Sequence, residues 1–306
     1  MFTRLKFFFS VVMALCFFTQ PSFAKVNIFA CEPEWGALAQ EIGGDKVAVT
    51  TATTALQDPH QIQARPSLIA AVRRADLVFC TGAELEIGWL PMILEKASNP
   101  AVLPGQNGYL MAADYAKLLE VPTRLDRADG DVHAQGNPHI QLNPHHYLPL
   151  ANALVERLTQ LDNTNAAVYQ TRYQQFVKQW QQNIARWENL AKPLHQMAIV
   201  VNHDNWSYLN EWLQLKQITT LEPKPGIPPS TAYLERILTL VKQQPAKAII
   251  YASYESPNAA QWLSQKTAIP VLQLPFTVGG NAQANSLAGL FEDTIQQLLA
   301  VNHAAQ

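Results

Sequence analysis

The sequence predicts an α/β protein of two lobes, each a parallel sheet flanked by helices, joined by one long inter-lobe helix. Short apolar runs alternate with segments of three-or-four apolar spacing from Lys25 to about Leu103, and the same alternation restarts at Met197 and continues to Val301. Between the two stretches, Asn165 to Lys192 keeps helical spacing with no Gly or Pro. Alternating strands and helices are the pattern of a parallel sheet covered on both faces. The uninterrupted run is one helix of roughly 40 Å, as long as a whole domain. The organisation expected is an export signal over 1–24, a first lobe over 25–163, a linking helix over 164–193 and a second lobe over 194–306.

Residues 1–24 carry Arg4 and Lys6, an apolar run from Phe7 to Phe18, and the small-x-small ending Ser22-Phe23-Ala24. That is a secretory signal with cleavage after Ala24, too short to anchor the chain across a bilayer. Lipidation at Cys16 is disfavoured, because bulky Leu15 stands where such a site needs a small residue. Cleavage removes two cations and moves the formal charge from −2 to −4, with 20 basic against 24 acidic residues. Nothing in that balance suggests nucleic acid or anionic lipid as a partner.

In the first half, strands are expected at Val26–Ala30, Val47–Thr51, Leu77–Cys80 and Ala101–Leu103. Helices are expected near Pro33–Ile42 (ended by Gly43-Gly44), from Pro66 to Arg74 with Ser67 as cap, and near Glu86–Ala97. Tyr147–Leu161 presents Leu148, Ala151, Leu154, Val155 and Leu158 on one face, and the long helix follows. In the second half, strands at Met197–Val201, Gln217–Leu221, Ala248–Tyr251 and Val271–Leu274 alternate with helices near Trp206–Leu213, from the Ser230 cap to Gln243, and at Asn258–Thr267. A final helix ends near Val301. Trp206, Tyr208 and Trp212 have helical spacing and read as core. Cys31 and Cys80 each end a strand; in an oxidising compartment they can pair, and the competing reading is two buried free thiols.

The chemistry concentrates in histidines. Asp58-Pro59-His60 and Asn137-Pro138-His139 repeat one pattern, a short polar residue able to hydrogen-bond a turn and a proline that fixes the backbone before an imidazole. A third histidine stands in Asn202-His203-Asp204 after an apolar strand. A single loop histidine is ordinarily a solvated side chain; convergence of three at one ion is what changes that reading. Parallel sheets place ligands at the carboxyl ends of strands, and a site between the lobes would draw on both. Three neutral imidazoles favour zinc over manganese or magnesium, which prefer oxygen. Binding weakens as pH falls through the histidine pKa, because proton and ion compete for one lone pair. His133, in a loop with Asp126, Asp129 and Asp131, reads as solvated with an accessory ion-gathering role as the sharper alternative. His145 and His146 read as structural or surface. No nucleophile elbow, Walker loop, HExxH helix or CxxC pair is present.

Taken together, the Asp58-Pro-His60 loop with Pro66-Ser67, the Gly130-Asp-Val-His-Ala-Gln-Gly-Asn-Pro-His139 stretch, His203-Asp204, the long helix and Pro275-Phe-Thr-Val-Gly-Gly280 resemble the periplasmic substrate-binding proteins of zinc and manganese ABC importers, the zinc branch most closely. The resemblance covers essentially the whole chain after residue 24. It implies Zn(II) as transported ligand, held by His60 and His139 from one lobe and His203 from the other, and passed to a membrane permease with its cytoplasmic ATPase. It implies no enzymatic activity, a role in metal-ion homeostasis, a monomer, and only small motions about a rigid helix.

Two departures stand out. Many relatives place a carboxylate ligand late in the second lobe, yet no Asp or Glu lies between Glu255 and Glu292. A water or a carboxylate from elsewhere is expected instead, with Glu222, Glu255 and Asp58 as candidates. The histidine-rich loop of several zinc-binding relatives has also shrunk to a segment holding only His133. The alternatives carried forward are the same role with Mn(II) or another divalent metal, and a secreted zinc hydrolase using the three-histidine site.

Overall fold

The computed structural model describes residues 25–126, 130 and 132–304; the expected export signal, Asp129 and Asp131 lie outside the described residues. The chain builds two four-stranded sheets, all pairings parallel. The first is made of β1 (Val26–Ala30), β2 (Val47–Thr51), β3 (Leu77–Cys80) and β4 (Tyr109–Met111), in the order β2-β1-β3-β4. The second is made of β5 (Ala198–Val201), β6 (Lys216–Thr220), β7 (Ala248–Ala252) and β8 (Val271–Leu274), in the equivalent order β6-β5-β7-β8. The helices are α1 (Pro33–Gly43), α2 (Pro66–Arg73), α3 (Leu90–Ala97), α4 (Tyr147–Leu161), α5 (Ala166–Ala191), α6 (Ser207–Leu213), α7 (Thr231–Gln243), α8 (Asn258–Thr267) and α9 (Leu287–Ala304). No helix among the described residues is long and apolar enough to cross a membrane.

Side chains alternate faces along a strand, so β1 sends Ile28 and Ala30 into one core and Phe29 and the following Cys31 into another. Burial on both faces is what an all-parallel sheet requires. One apolar core runs from the first sheet through α5 to the second, while the remaining face of each sheet has its own.

The 26-residue helix α5 packs on α1 and α4 from the first lobe and α9 from the second. Its buried stripe is Tyr169, Phe176, Trp180, Ile184, Trp187 and Ala191. A fully buried apolar side chain of Phe size contributes roughly 1.5–3 kcal/mol, and here the indoles are also tied by hydrogen bonds. Trp180 Nε1 donates to Pro144 O (2.7 Å) and Trp187 Nε1 to Glu292 Oε2 (2.9 Å).

Local chemistry explains where the elements depart from expectation. Ala101–Leu103 is not a strand: Asn99 caps a 3-10 turn over Pro100–Val102 by accepting from Ala101 N (3.1 Å), and the edge strand is Tyr109–Met111, paired to β3. The third helix starts at Leu90 rather than Glu86. Gly82, Ala83 and Glu84 all have positive φ, and the Glu86 carboxylate accepts from Thr81 N and Gly82 N, so the chain turns before it coils. Ser67 makes no capping bond, the cap position being Arg65, whereas Ser230 accepts from Tyr233 N (3.2 Å) as expected. Gly44, at φ +57°, ends α1 where a side chain would be strained.

A disulfide and a carboxyl cluster brace the first lobe, and the cluster also reaches the second. Cys31 and Cys80 form a disulfide across neighbouring strands β1 and β3. Around it lie three buried carboxyls, Glu32, Glu34 and Glu86. Burial pushes all three up, Glu32 well above the usual range with the neighbouring Glu86 and Glu34 charges adding to it, and Glu34 and Glu86 to about 7. Thr277, from the loop after β8, donates its hydroxyl to Glu34 across the seam between lobes. Gly280 lets that loop close on itself, since a Cβ there would stand 2.8 Å from Pro275 Cα and Ser253 Oγ.

Two outcomes are expected. Replacing both cysteines with alanine lowers unfolding free energy by about 4 kcal/mol in the chain-entropy model, read by denaturant unfolding, while intact mass shows a bridge that only reductant opens. The carboxyl cluster carries the opposite pH signature from a salt bridge. Folded Glu34 titrates near 7 against 4.5 when free, so the fold penalises its ionised form; the penalty grows from pH 4.5 to 7 and is complete above. Glu34→Gln is therefore more stable than the parent at pH 8, with the difference closing toward pH 4.5; thermal melting showing no such convergence contradicts the assignment.

Candidate metal centre

Every residue of the site stands beyond the carboxyl end of a strand. The loop after β2 carries Asp58-Pro59-His60, the segment after β4 carries Asn137-Pro138-His139, His203 follows β5 and Glu222 follows β6. The structure brings His60, His139 and His203 together: one ring nitrogen from each lies within 4.8 Å of the others. Ring centroids are 5.3 Å apart for His60 and His139, 5.8 Å for His139 and His203, and 6.0 Å for His60 and His203.

The two X-Pro-His loops share one geometry. Asp58 Oδ1 accepts from His60 N (3.0 Å) and lies 2.7 Å from His60 Nδ1. Asn137 Oδ1 accepts from His139 N (3.0 Å) and lies 2.8 Å from His139 Nδ1. In each, a side chain two residues back closes the turn and then holds the ring. Glu222 Oε2 does the same for His203, 2.7 Å from Nδ1, and is itself fixed by Gly226 N at 2.9 Å. With an acceptor at each Nδ1, the proton sits there and the lone pair is on Nε2. Asn137 is an acceptor because its Nδ2 donates to Glu120 Oε2 (2.8 Å) and to Asp204 O (3.0 Å). His60 Nε2 and His139 Nε2 are buried with no hydrogen-bond partner.

Electrostatics follow from these contacts. Burial holds His139 well below the usual imidazole range, and the neighbouring His60, His203 and His133 act in the same direction, so it stays neutral. Burial would also lower His203, but the Glu222 carboxylate, joined by the Glu255 and Asp204 charges, more than reverses it and the net shift is upward. Burial would raise Asp58; its contact with His60 outweighs that and holds it low.

The candidate carboxylates fall in different places. Asp58 and Glu222 meet the Nδ1 side of their imidazoles, away from the converging Nε2 atoms. Glu255, pushed up to about 7 by burial, accepts from Ala252 N (2.6 Å) and Asn205 Nδ2 (3.3 Å). His133 lies closer than a solvated loop residue would: its ring stacks on His60 at 5.3 Å and meets His139 edge-on at 6.4 Å, with Ala134 N held by Glu84 Oε2 (2.6 Å). His145 Nε2 is 2.8 Å from Glu188 Oε1 and His146 Nδ1 2.8 Å from Ile140 O, both outside the cluster.

Several supporting contacts carry no sequence signal. Trp89 Nε1 donates to Pro59 O (2.8 Å), Phe276 packs edge-on against His139 (5.5 Å), and Trp206 backs Phe276 (5.7 Å). Tyr208 OH donates to Asn137 O (2.7 Å) and Ser207 Oγ to Glu120 Oε1 (2.7 Å), tying the His139 segment to α6. Trp206 and Tyr208 are fully buried, as their spacing implied.

Comparison with known proteins bears on this arrangement. The family described as zinc-uptake complex component A, periplasmic, matches residues 28–301. SloC of Streptococcus mutans, a metal ABC transporter substrate-binding lipoprotein, is 19% identical over 264 residues, covering 83% of this chain and 81% of its own. The manganese ABC transporter substrate-binding lipoprotein PsaA of Streptococcus pneumoniae is 19% identical over 258 residues, covering 83% and 80%. The crystal structure of ZnuA superposes with a TM-score of 0.74 at 20% identity, covering 90% of this chain and 99% of that one.

Proposed function

Because this chain belongs to the family of periplasmic zinc-uptake complex component A proteins, we propose that the cargo captured in its inter-lobe cleft is Zn(II), held by Nε2 of His60, His139 and His203. Members of the family are substrate-binding components of metal ABC importers rather than enzymes, and the hydrolase reading is set aside on that ground. The ion is taken up outside the cytoplasm and handed to a membrane permease driven by its ATPase. The exported form begins after Ala24 and acts as a monomer, with lobes over 25–163 and 194–306 and the helix at 164–193 between them.

The observation that carries the site is the pair of buried, unpartnered Nε2 atoms on His60 and His139. A buried polar nitrogen with no partner is costly, and an ion that accepts its lone pair removes the cost. Three imidazoles leave a zinc ion at least one further position, as in open three-ligand zinc sites. Asp58, Asn137 and Glu222 are the orienting partners: each fixes a tautomer and, for the two carboxylates, raises the basicity of the ligating nitrogen. His133, resting on His60, is the accessory residue.

Manganese is the second reading, favoured by the relative named for that metal. The donor chemistry opposes it. Manganese prefers oxygen, and the nearest carboxylates, Asp58 and Glu222, are engaged at Nδ1.

His139→Ala is expected to weaken zinc binding by more than about a hundredfold, beyond what loss of an orienting partner costs; elemental analysis and competition with a fluorescent chelator measure it, and stoichiometric tight zinc in the variant refutes the ligand set. Glu222→Ala, which spares every Nε2, is expected to cost about 10–100-fold. Displacement of bound zinc by equimolar manganese in the parent would move the cargo to manganese.

A further inference from the structure

A void of about 10 Å³ lies where the segments after β1 and β2 meet the loop after β8, with Glu32, Glu34, Thr53, Gln141 and Thr277 in its wall. That is room for one particle the size of a water molecule. Two oxygens in the wall have no partner: Glu32 Oε1 and Gln141 Oε1 are buried and accept no hydrogen bond from the protein. The rest of each side chain is committed. Glu32 Oε2 accepts from Thr81 N (3.3 Å) and Thr81 Oγ1 (3.0 Å), while Gln141 Nε2 donates to Phe276 O (3.5 Å) and Gln141 O accepts from Tyr147 OH (3.1 Å). The free oxygen of each is the one left to the void.

A buried oxygen without a partner costs free energy until a donor or a cation meets it. Here charge is also unmet, because no Lys, Arg or His lines the void. Burial pushes Glu34 up to about 7 and Glu32 well above the usual carboxyl range, with the neighbouring acids adding to the shift of Glu32. A water molecule would satisfy the hydrogen bonding and leave the charge as it is. A cation answers both needs.

The donor set narrows the class of that cation. Carboxylate, amide carbonyl and hydroxyl oxygens, without nitrogen or sulfur, suit a hard ion and not zinc. Magnesium sheds its waters reluctantly and keeps several when bound, and a one-particle space has no room for them. Sodium brings one charge to two carboxyls. Calcium brings two, and accepts irregular sets of carboxylate and side-chain carbonyl oxygens.

We propose that this void is a second cation site, which holds one Ca(II) on Glu32 Oε1, Gln141 Oε1, a Glu34 carboxylate oxygen and the Thr277 hydroxyl oxygen. Glu32 and Glu34 release to solvent the protons that burial keeps on them as the ion enters. Thr277 comes from the second lobe and the other three from the first, so the ion adds a bridge across the seam. Gln141 stands two residues after His139, so the bridge also anchors the segment that carries that ring.

Equilibrium dialysis of the full mature protein, stripped of metal by a chelator, against isotope-labelled calcium at pH 8 tests this. One calcium per chain is expected. Calcium at about 10 mM, above the roughly 0.1–1 mM affinities of extracellular calcium modules, is expected to raise Tm by about 3 °C, and magnesium or sodium at equal ionic strength to leave it unchanged. Glu32→Gln and Gln141→Met keep side-chain size and are expected to weaken calcium by about tenfold or more while still binding one zinc. Glu34→Gln is expected to lose its stability advantage over the parent at pH 8 once calcium is added. His139→Ala is expected to keep the calcium response, which separates this site from the histidines. A parent that retains no calcium has a water in the void, and the proposal falls. It falls equally if calcium survives both Glu32→Gln and Gln141→Met, if it is lost in His139→Ala, or if sodium or magnesium raises Tm as much.

Discussion

The hydrogen bond at each Nδ1 is the interaction on which the site depends. An imidazole offers two nitrogens, and a loop histidine left to itself presents either one in several orientations. Asp58, Asn137 and Glu222 remove that freedom by occupying Nδ1, so three lone pairs face a common point before any ligand arrives. Pro59 and Pro138 stiffen the two loops that carry the first pair of rings. The ordering cost is met during folding and not at capture, which is what a protein that must seize a dilute ion requires.

That geometry is only as rigid as the relation between the lobes. Helix α5 packs on helices of both, and one core continues through it from sheet to sheet. The seam is also stitched at the cleft: Asn137 to Asp204 O, Tyr208 to Asn137 O, and Thr277 to Glu34. The same asparagine that holds His139 therefore also ties its segment to the other lobe, where His203 sits beside Asp204. Large hinge motion would break the bonds that set the His139 ring.

One loop bridges the lobes through Thr277. The Pro275–Gly280 loop has no carboxylate to offer an ion, and its hydroxyl instead meets a carboxyl buried in the first lobe, one of three pushed up by burial near the Cys31–Cys80 bridge. The loop thereby joins the two lobes beside the histidine cluster.

The sequence by itself determined the architecture and the identity of the clustered histidines. Periodicity is a local property, so two sheets of alternating elements and the helix at 166–191 were legible from spacing, and the paired X-Pro-His motifs marked the loops that matter. It misplaced elements where a side chain overrode the pattern: Asn99 turned an apolar run into a 3-10 turn, Glu86 delayed a helix, and the three-residue edge strand at Tyr109 was too short to show a period. Only the tertiary structure decided what each carboxylate does and where His133 rests. Glu222 lies 19 residues from His203 and Phe276 more than a hundred from His139, and no local pattern encodes a contact between chains of residues that far apart. Which nitrogen faces the centre of the cluster was decided the same way, because a tautomer is set by the partner across the loop or the neighbouring strand, and that partner is fixed by the fold.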